Sequence, residues 1–122
     1  MHWGKKRWAI AEGYIPSYGH GEGREFVSHE TICVLNPSDE EAELSIMIYF
    51  SDREPAGPFK EKVGARRTSH IRFNDLSEPE VIPKGTDFSC TLESSIPVIV
   101  QHTRLDTRQA ESALMTTIAY SE

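Results

Sequence analysis

Ala42-Glu43-Leu44-Ser45-Ile46-Met47-Ile48-Tyr49-Phe50-Ser51-Asp52 is the cleanest strand pattern in the chain. Ala42, Leu44, Ile46, Ile48 and Phe50 alternate with Glu43, Ser45, Met47, Tyr49 and Ser51, so one face is apolar throughout. A period of two over nine residues fits a half-buried strand and no helix. The apolar row runs out at Asp52, which places a carboxylate at the strand's tip.

A second stretch, Ile96-Pro97-Val98-Ile99-Val100-Gln101-His102-Thr103-Arg104-Leu105-Asp106, is built the same way. Ile96, Val98 and Val100 share a face, and His102 and Arg104 are the next residues along it. Ile99 makes the first half apolar on both sides, as expected deep in a sandwich. The strand thus carries an imidazole and a guanidinium out of the core on a rigid support.

Working outward, nearly everything reads as short strands and turns. Strands are expected over 8–11, 26–35, 42–52, 59–63, 66–74, 87–94, 98–104 and 115–120. Segment 12–23, with four glycines and a proline among three large side chains, is expected to be irregular. Its Tyr14 and Tyr18 either serve a site or pack back on the sandwich. Pro55 and Pro58 are expected to stop a strand, Ser95-Ile96-Pro97 to make a tight junction, and 75–85 to be an ordered loop. Ala110, Ala113 and Leu114 lie at helical spacing, so 107–114 reads as a short helix capped by Asp106 or Thr107. About eight short strands at this spacing give an all-β, single-domain sandwich or jelly roll over 1–122.

The chain has 122 residues, enough to bury a core without disulfides or metals. A net charge of −6 argues against nucleic acid as the main partner. Lys5-Lys6-Arg7 and Arg66-Arg67 are its only basic clusters. No apolar stretch approaches transmembrane length, and residues 1–7 lack the apolar segment of a signal peptide. Cys33 and Cys90 both lie in β-like runs, which suggests two buried, reduced thiols in a cytoplasmic protein.

There is no phosphate loop, dinucleotide fingerprint, CxxC pair or GxSxG elbow. Metal binding by His29, Glu30, His70 and His102 is disfavoured, because His29 and Glu30 are neighbours and point to opposite strand faces. No cofactor is implied. Glu12, Glu30, Asp52 and Asp106 could serve acid-base chemistry, but nothing specifies a nucleophile, so an enzyme is not expected. The favoured constellation is a binding pocket of His70, Arg72, His102, Arg104 and Asp52 with Tyr14 and Trp8 as aromatic walls. It suits a polar, hydroxyl-rich or anionic small molecule. The alternative is an internal ion-pair network, such as Asp52 with Arg72 or Asp106 with Arg104.

WAIAEGYIP (8–16), SHETICVLN (28–36), YFSDREPAGPF (49–59), ARRTSHIRFNDL (65–76), IPKGTDFS (82–89) and VIVQHTRLDTRQAESALMTTIAY (98–120) resemble the sensory rhodopsin transducer family. The resemblance covers nearly the whole chain in matching order. It implies a jelly-roll-like β-sandwich assembled as a homotetramer in the cytoplasm. It further implies a signalling role without catalysis, with a small polar, sugar-like ligand or a sensory rhodopsin-type membrane receptor as partner. The matching phrases contain Trp8, Glu12, Tyr14, His29, Glu30, Asp52, Arg67, His70, Arg72, His102, Arg104 and Asp106, the candidate ligand-binding set.

Overall fold

The computed structural model describes residues 2–19, 27–109 and 111–122. Its strands are β1 (Lys5–Tyr14), β2 (His29–Asn36), β3 (Ala42–Phe50), β4 (Ala56–Val63), β5 (Arg67–Arg72), β6 (Asp87–Asp106), β7 (Ala113–Ile118) and β8 (Tyr120–Ser121). All pairings are antiparallel. One sheet runs β4-β3-β6-β1-β8, and the other runs β5-β2-β6-β7. The protein is all-β and forms a sandwich in which β6 belongs to both layers.

The alternation in the sequence sets which faces are buried. Ala42, Leu44, Ile46 and Ile48 of β3 are buried, as are Ile32 and Val34 of β2 and Val98 and Val100 of β6. With Trp8, Ile10, Phe59, Phe73, Phe88 and Leu92 they form one core. Each such aliphatic or aromatic side chain contributes about 1.5–3 kcal/mol when fully buried. Phe73 and Phe88 meet edge to face with centroids 5.0 Å apart. Leu76 and Ile82 are buried and pin the strand-free connection between β5 and β6.

β6 replaces two expected strands and the junction between them. Its 20 residues are continuous. Up to Ser94 it pairs with β3, and from Ile99 it pairs with β2. Pro97 sits in this hand-over, where a missing N–H disrupts the ladder least. Pro58 is tolerated for a related reason. β4 begins at Ala56, ahead of this proline, because it is an edge strand paired only with β3, and the ladder is irregular between Ile46 and Ile48.

Three further expectations are corrected. β1 runs on through Glu12 and Gly13 to Tyr14, with a register shift between Ile10 and Gly13 that absorbs the glycine. A Cβ on Gly13 would lie 2.5 Å from Phe88 Cε2, so only glycine lets the strand pass. No helix forms among the described residues of 107–114, and Ala110 lies outside them. Arg108 N–H bonds Asp106 Oδ1 in a tight turn, Thr107 N–H bonds Ser28 Oγ, and Ala113 and Leu114 are drawn into β7 opposite Asp106 and Leu105. The thiols differ, since Cys90 is buried but Cys33 only half-buried on the outside of β2; both are free. Residues 20–23 of the glycine-rich segment and Phe26, the expected start of a strand, fall outside the described residues.

Candidate functional site

At the end of the sandwich, the outgoing ends of β1 and β6 meet the start of β2. Successive inward positions on β6 hold Val100, His102 and Arg104, and the partner positions on β2 hold Glu30 and Ile32. Glu30 is therefore carried into the core, with 0% of its surface exposed. A carboxylate there needs a cation and hydrogen bonds. Arg104 supplies both, with Nε 2.7 Å from Glu30 Oε1 and Nη2 3.1 Å from Oε2. Tyr14 N–H donates to Oε2 at 3.0 Å, which the extension of β1 makes possible. The same Arg104 Nη2 bonds Glu12 Oε2 at 2.8 Å, although the Glu12 side chain is 68% exposed.

Burial alone would push the Glu30 carboxyl up, but contact with His102, the bonds from Arg104 and Tyr14, and the Arg104 charge together hold it below its ordinary value. The Arg104 guanidinium is correspondingly raised, chiefly by its bond to Glu30. His102 Nε2 lies 3.4 Å from Glu30 Oε1. That contact is too poorly aligned for a hydrogen bond, and His102 Nε2 is the one buried side-chain polar atom among the described residues without one.

One step further out, Asp106 is chelated by Arg108, with Nη2–Oδ2 at 2.6 Å and Nε–Oδ1 at 3.0 Å. These bonds hold the Asp106 carboxyl below its ordinary value. The Arg108 guanidinium lies 5.9 Å from the Tyr14 ring centroid. A cleft of about 350 Å³ opens beside this pair, lined by Tyr18, Asp106, Arg108, Gln109, Glu111 and Ala113. A second cleft, about 260 Å³, lies between β1 and β7 and is lined by Glu12, His102, Met115 and Ile118 among others. A wider depression of about 790 Å³ crosses β3, β4 and β6 and contains none of the candidate residues.

The structure brings Glu12, Tyr14, Glu30, His102, Arg104 and Asp106 together and separates the others. His29, His70 and Arg72 lie on the outer face of the β5–β2 sheet, the side opposite Glu30, where His29 Nδ1 meets Arg72 Nη2. Trp8 is in the core and donates its indole N–H to Lys5 O. Asp52 is exposed and held by Arg53, and Arg67 bonds the carbonyls of Ala65 and Arg66. Most charged groups at the mouth are thus bonded to each other. Arg104 pairs with Glu30 and Glu12, and Asp106 pairs with Arg108. The residue-level reading did not single out Arg108; its sequence signal is the Asp-x-Arg spacing of a side-chain-capped turn. Among the described residues no three His, Cys, Asp or Glu side chains gather as a metal site.

The family model described as Anabaena sensory rhodopsin transducer matches residues 3–121. The chain therefore belongs to the Anabaena sensory rhodopsin transducer family. It is similar to a solved structure of Anabaena sensory rhodopsin transducer at 57% identity and a TM-score of 0.79, covering 91% of this chain and 96% of that one. A solved structure described as Thermotoga maritima 1070 is similar at 35% identity and a TM-score of 0.85, covering 98% and 96%. No curated protein matches the chain. No helix among the described residues is long and apolar enough to cross a membrane.

Proposed function

We propose that this chain is a cytoplasmic, homotetrameric signal transducer with no chemistry of its own, and that it senses a small polar, sugar-like ligand. The observation that carries the ligand reading is the 350 Å³ cleft, where Tyr18 offers an aromatic surface and Asp106, Arg108, Gln109 and Glu111 offer hydrogen-bonding groups. Asp106 stands two residues from Arg104 on the same face of β6, and Arg104 is bonded to the buried Glu30. A ligand that draws Arg108 away from Asp106 would perturb a network reaching into the core.

A thermal-shift screen against sugars, sugar acids and phosphorylated metabolites tests this. A ligand at a hundred times its dissociation constant stabilises the fold by about 2.7 kcal/mol. The expected result is a hit in the wild type that Tyr18→Ala abolishes; Tyr18 is exposed, so the substitution leaves the fold intact.

The second reading is a protein adaptor for a sensory rhodopsin-type membrane receptor. The name of the relative at 57% identity favours it. A flat response across the whole panel, with capture of the chain by vesicles containing such a receptor, would establish this reading over the first.

A further inference from the structure

We infer that the outer face of the β4-β3-β6-β1-β8 sheet carries a docking trough for a proline-rich segment of another protein, held as a polyproline II helix with a cationic residue at its flank. The trough is separate from the clefts at the mouth, and the inference does not rest on the ligand proposed there.

Met47 of β3, Thr91 of β6, Ala9 of β1 and Tyr120 of β8 form one row across this sheet, each in register with the next. Tyr49 stands two residues beyond Met47 on the same face, and its hydroxyl reaches across to Thr91 Oγ1 at 3.2 Å. Tyr49 is 39% exposed and Tyr120 66%. Between the two rings the floor drops to Ala9 and Thr91, whose small side chains leave a trough of about 190 Å³.

The spacing matches a polyproline II helix. Tyr49 leans onto β6 and Tyr120 stands two strands away on β8, so the aromatic walls are about 10 Å apart. A polyproline II helix rises about 3.1 Å per residue with three residues per turn, so prolines three apart lie about 9 Å apart along one side. One pyrrolidine ring can therefore meet each tyrosine, the way such helices dock in aromatic-lined grooves. The segment's carbonyls have no internal partners and need donors. Arg7, at the edge of the trough, has N–H groups to spare beyond its two carboxylate contacts. Both rings are already held, Tyr49 by Thr91 and Tyr120 by its bond to Glu122 Oε2 at 3.4 Å. Little side-chain freedom is left to lose on binding.

Charge selects the flank. In the next row Glu93 and Glu122 stand on either side of Arg7, with their Oε1 atoms 3.7 and 3.3 Å from its guanidinium. Two carboxylates against one guanidinium leave the rim acidic, and the whole chain carries −6. A lysine or arginine beside the prolines is drawn to this rim. A neutral saccharide stacked on the same rings would leave that charge unused.

Fluorescence anisotropy tests the inference, with a dye-labelled synthetic peptide carrying Pro-x-x-Pro and a flanking arginine as the probe. The full wild-type chain should bind it saturably. Tyr49→Ala and Tyr120→Ala should each weaken binding about tenfold or more. Glu93→Gln should weaken it less and should reduce its salt dependence. Circular dichroism of the three variants should be unchanged, since all three side chains lie on the outer face. Replacing the prolines of the peptide by alanine probes the same contacts without altering the protein, and should also weaken binding about tenfold or more. No saturable binding by the wild type would overturn the inference, as would binding that survives both tyrosine substitutions or the loss of the prolines. An oligosaccharide that binds through these tyrosines where the peptide does not would overturn it too, by giving the trough to a different ligand.

Discussion

Arg104 holds two carboxylates of opposite character, the fully buried Glu30 at 2.7 Å and the largely exposed Glu12 at 2.8 Å. The arrangement is unequal. Arg104 without Glu30 can still turn towards Glu12 and water. Glu30 without Arg104 is a buried anion with a poorly aligned histidine and one backbone N–H. Arg104→Met should therefore cost about 3–5 kcal/mol, the range for breaking a buried pair and leaving one charge behind. Glu30→Gln should cost less, about 1–3 kcal/mol. Glu12→Gln should cost under about 1 kcal/mol, as an exposed pair does. Denaturant unfolding of the three variants measures the order, and an Arg104→Met no worse than Glu12→Gln would defeat the account.

The same carboxylate sets the acid limb of stability. Glu30 is held below its ordinary value of 4.5 in the folded state, so the folded form keeps its proton off where the unfolded chain takes one up. That contribution is fully present above about pH 4.5 and is lost as pH falls through the lower folded-state value. Asp106 acts in the same direction from its ordinary value of 3.8. Melting temperature should fall below pH 4.5, and Glu30→Gln should flatten the fall. An unchanged slope in that variant would assign the acid limb to other groups.

The two thiols should separate cleanly. Burial pushes the Cys90 thiol up to about 12, whereas Cys33 lies half-buried on the outer face. Titration with a thiol reagent at neutral pH should modify at most Cys33 in the native protein and both residues after unfolding.

Gly13→Ala should destabilise by about 1–3 kcal/mol, the usual cost of overpacking. The added methyl would meet the Phe88 ring, which is buried and fixed against Phe73. Pairing Gly13→Ala with Phe88→Leu should recover part of the loss in a double-mutant cycle.

Strands were legible in the sequence wherever one face is buried and the other wet. Alternation placed Ala42 to Phe50 and opposed His29 to Glu30. Resemblance supplied the family, and residue chemistry supplied the cluster at the end of β6. What alternation could not show is which strands become neighbours. His70 and Arg72 looked equivalent to His102 and Arg104, yet β5 pairs with β2 so that the first two point outward. Strand pairing overrode local propensity at residues 107–114, where Ala113 and Leu114 join β7 opposite Asp106 and Leu105 of β6. Ser95-Ile96-Pro97 reads as a tight junction because a shared strand leaves no local trace of its change of partner.

That shared strand also governs the order of events during synthesis. β1 finds its ladder only when β6 arrives, through pairs such as Trp8–Leu92 and Lys5–Val98. At about 5–20 residues per second, roughly 4–15 seconds separate the emergence of the two strands. Throughout that interval β1 has no strand to pair with, and such long-range pairing is slow in its own right. Lys5, Lys6 and Arg7 directly precede the apolar run, the position from which charge discourages a nascent strand from pairing with the wrong chain. The basic cluster at the head of β1 thus stands where a charged flank suits a strand that must wait for its partner, and β8 later covers only Trp8 and Ala9 of its other edge.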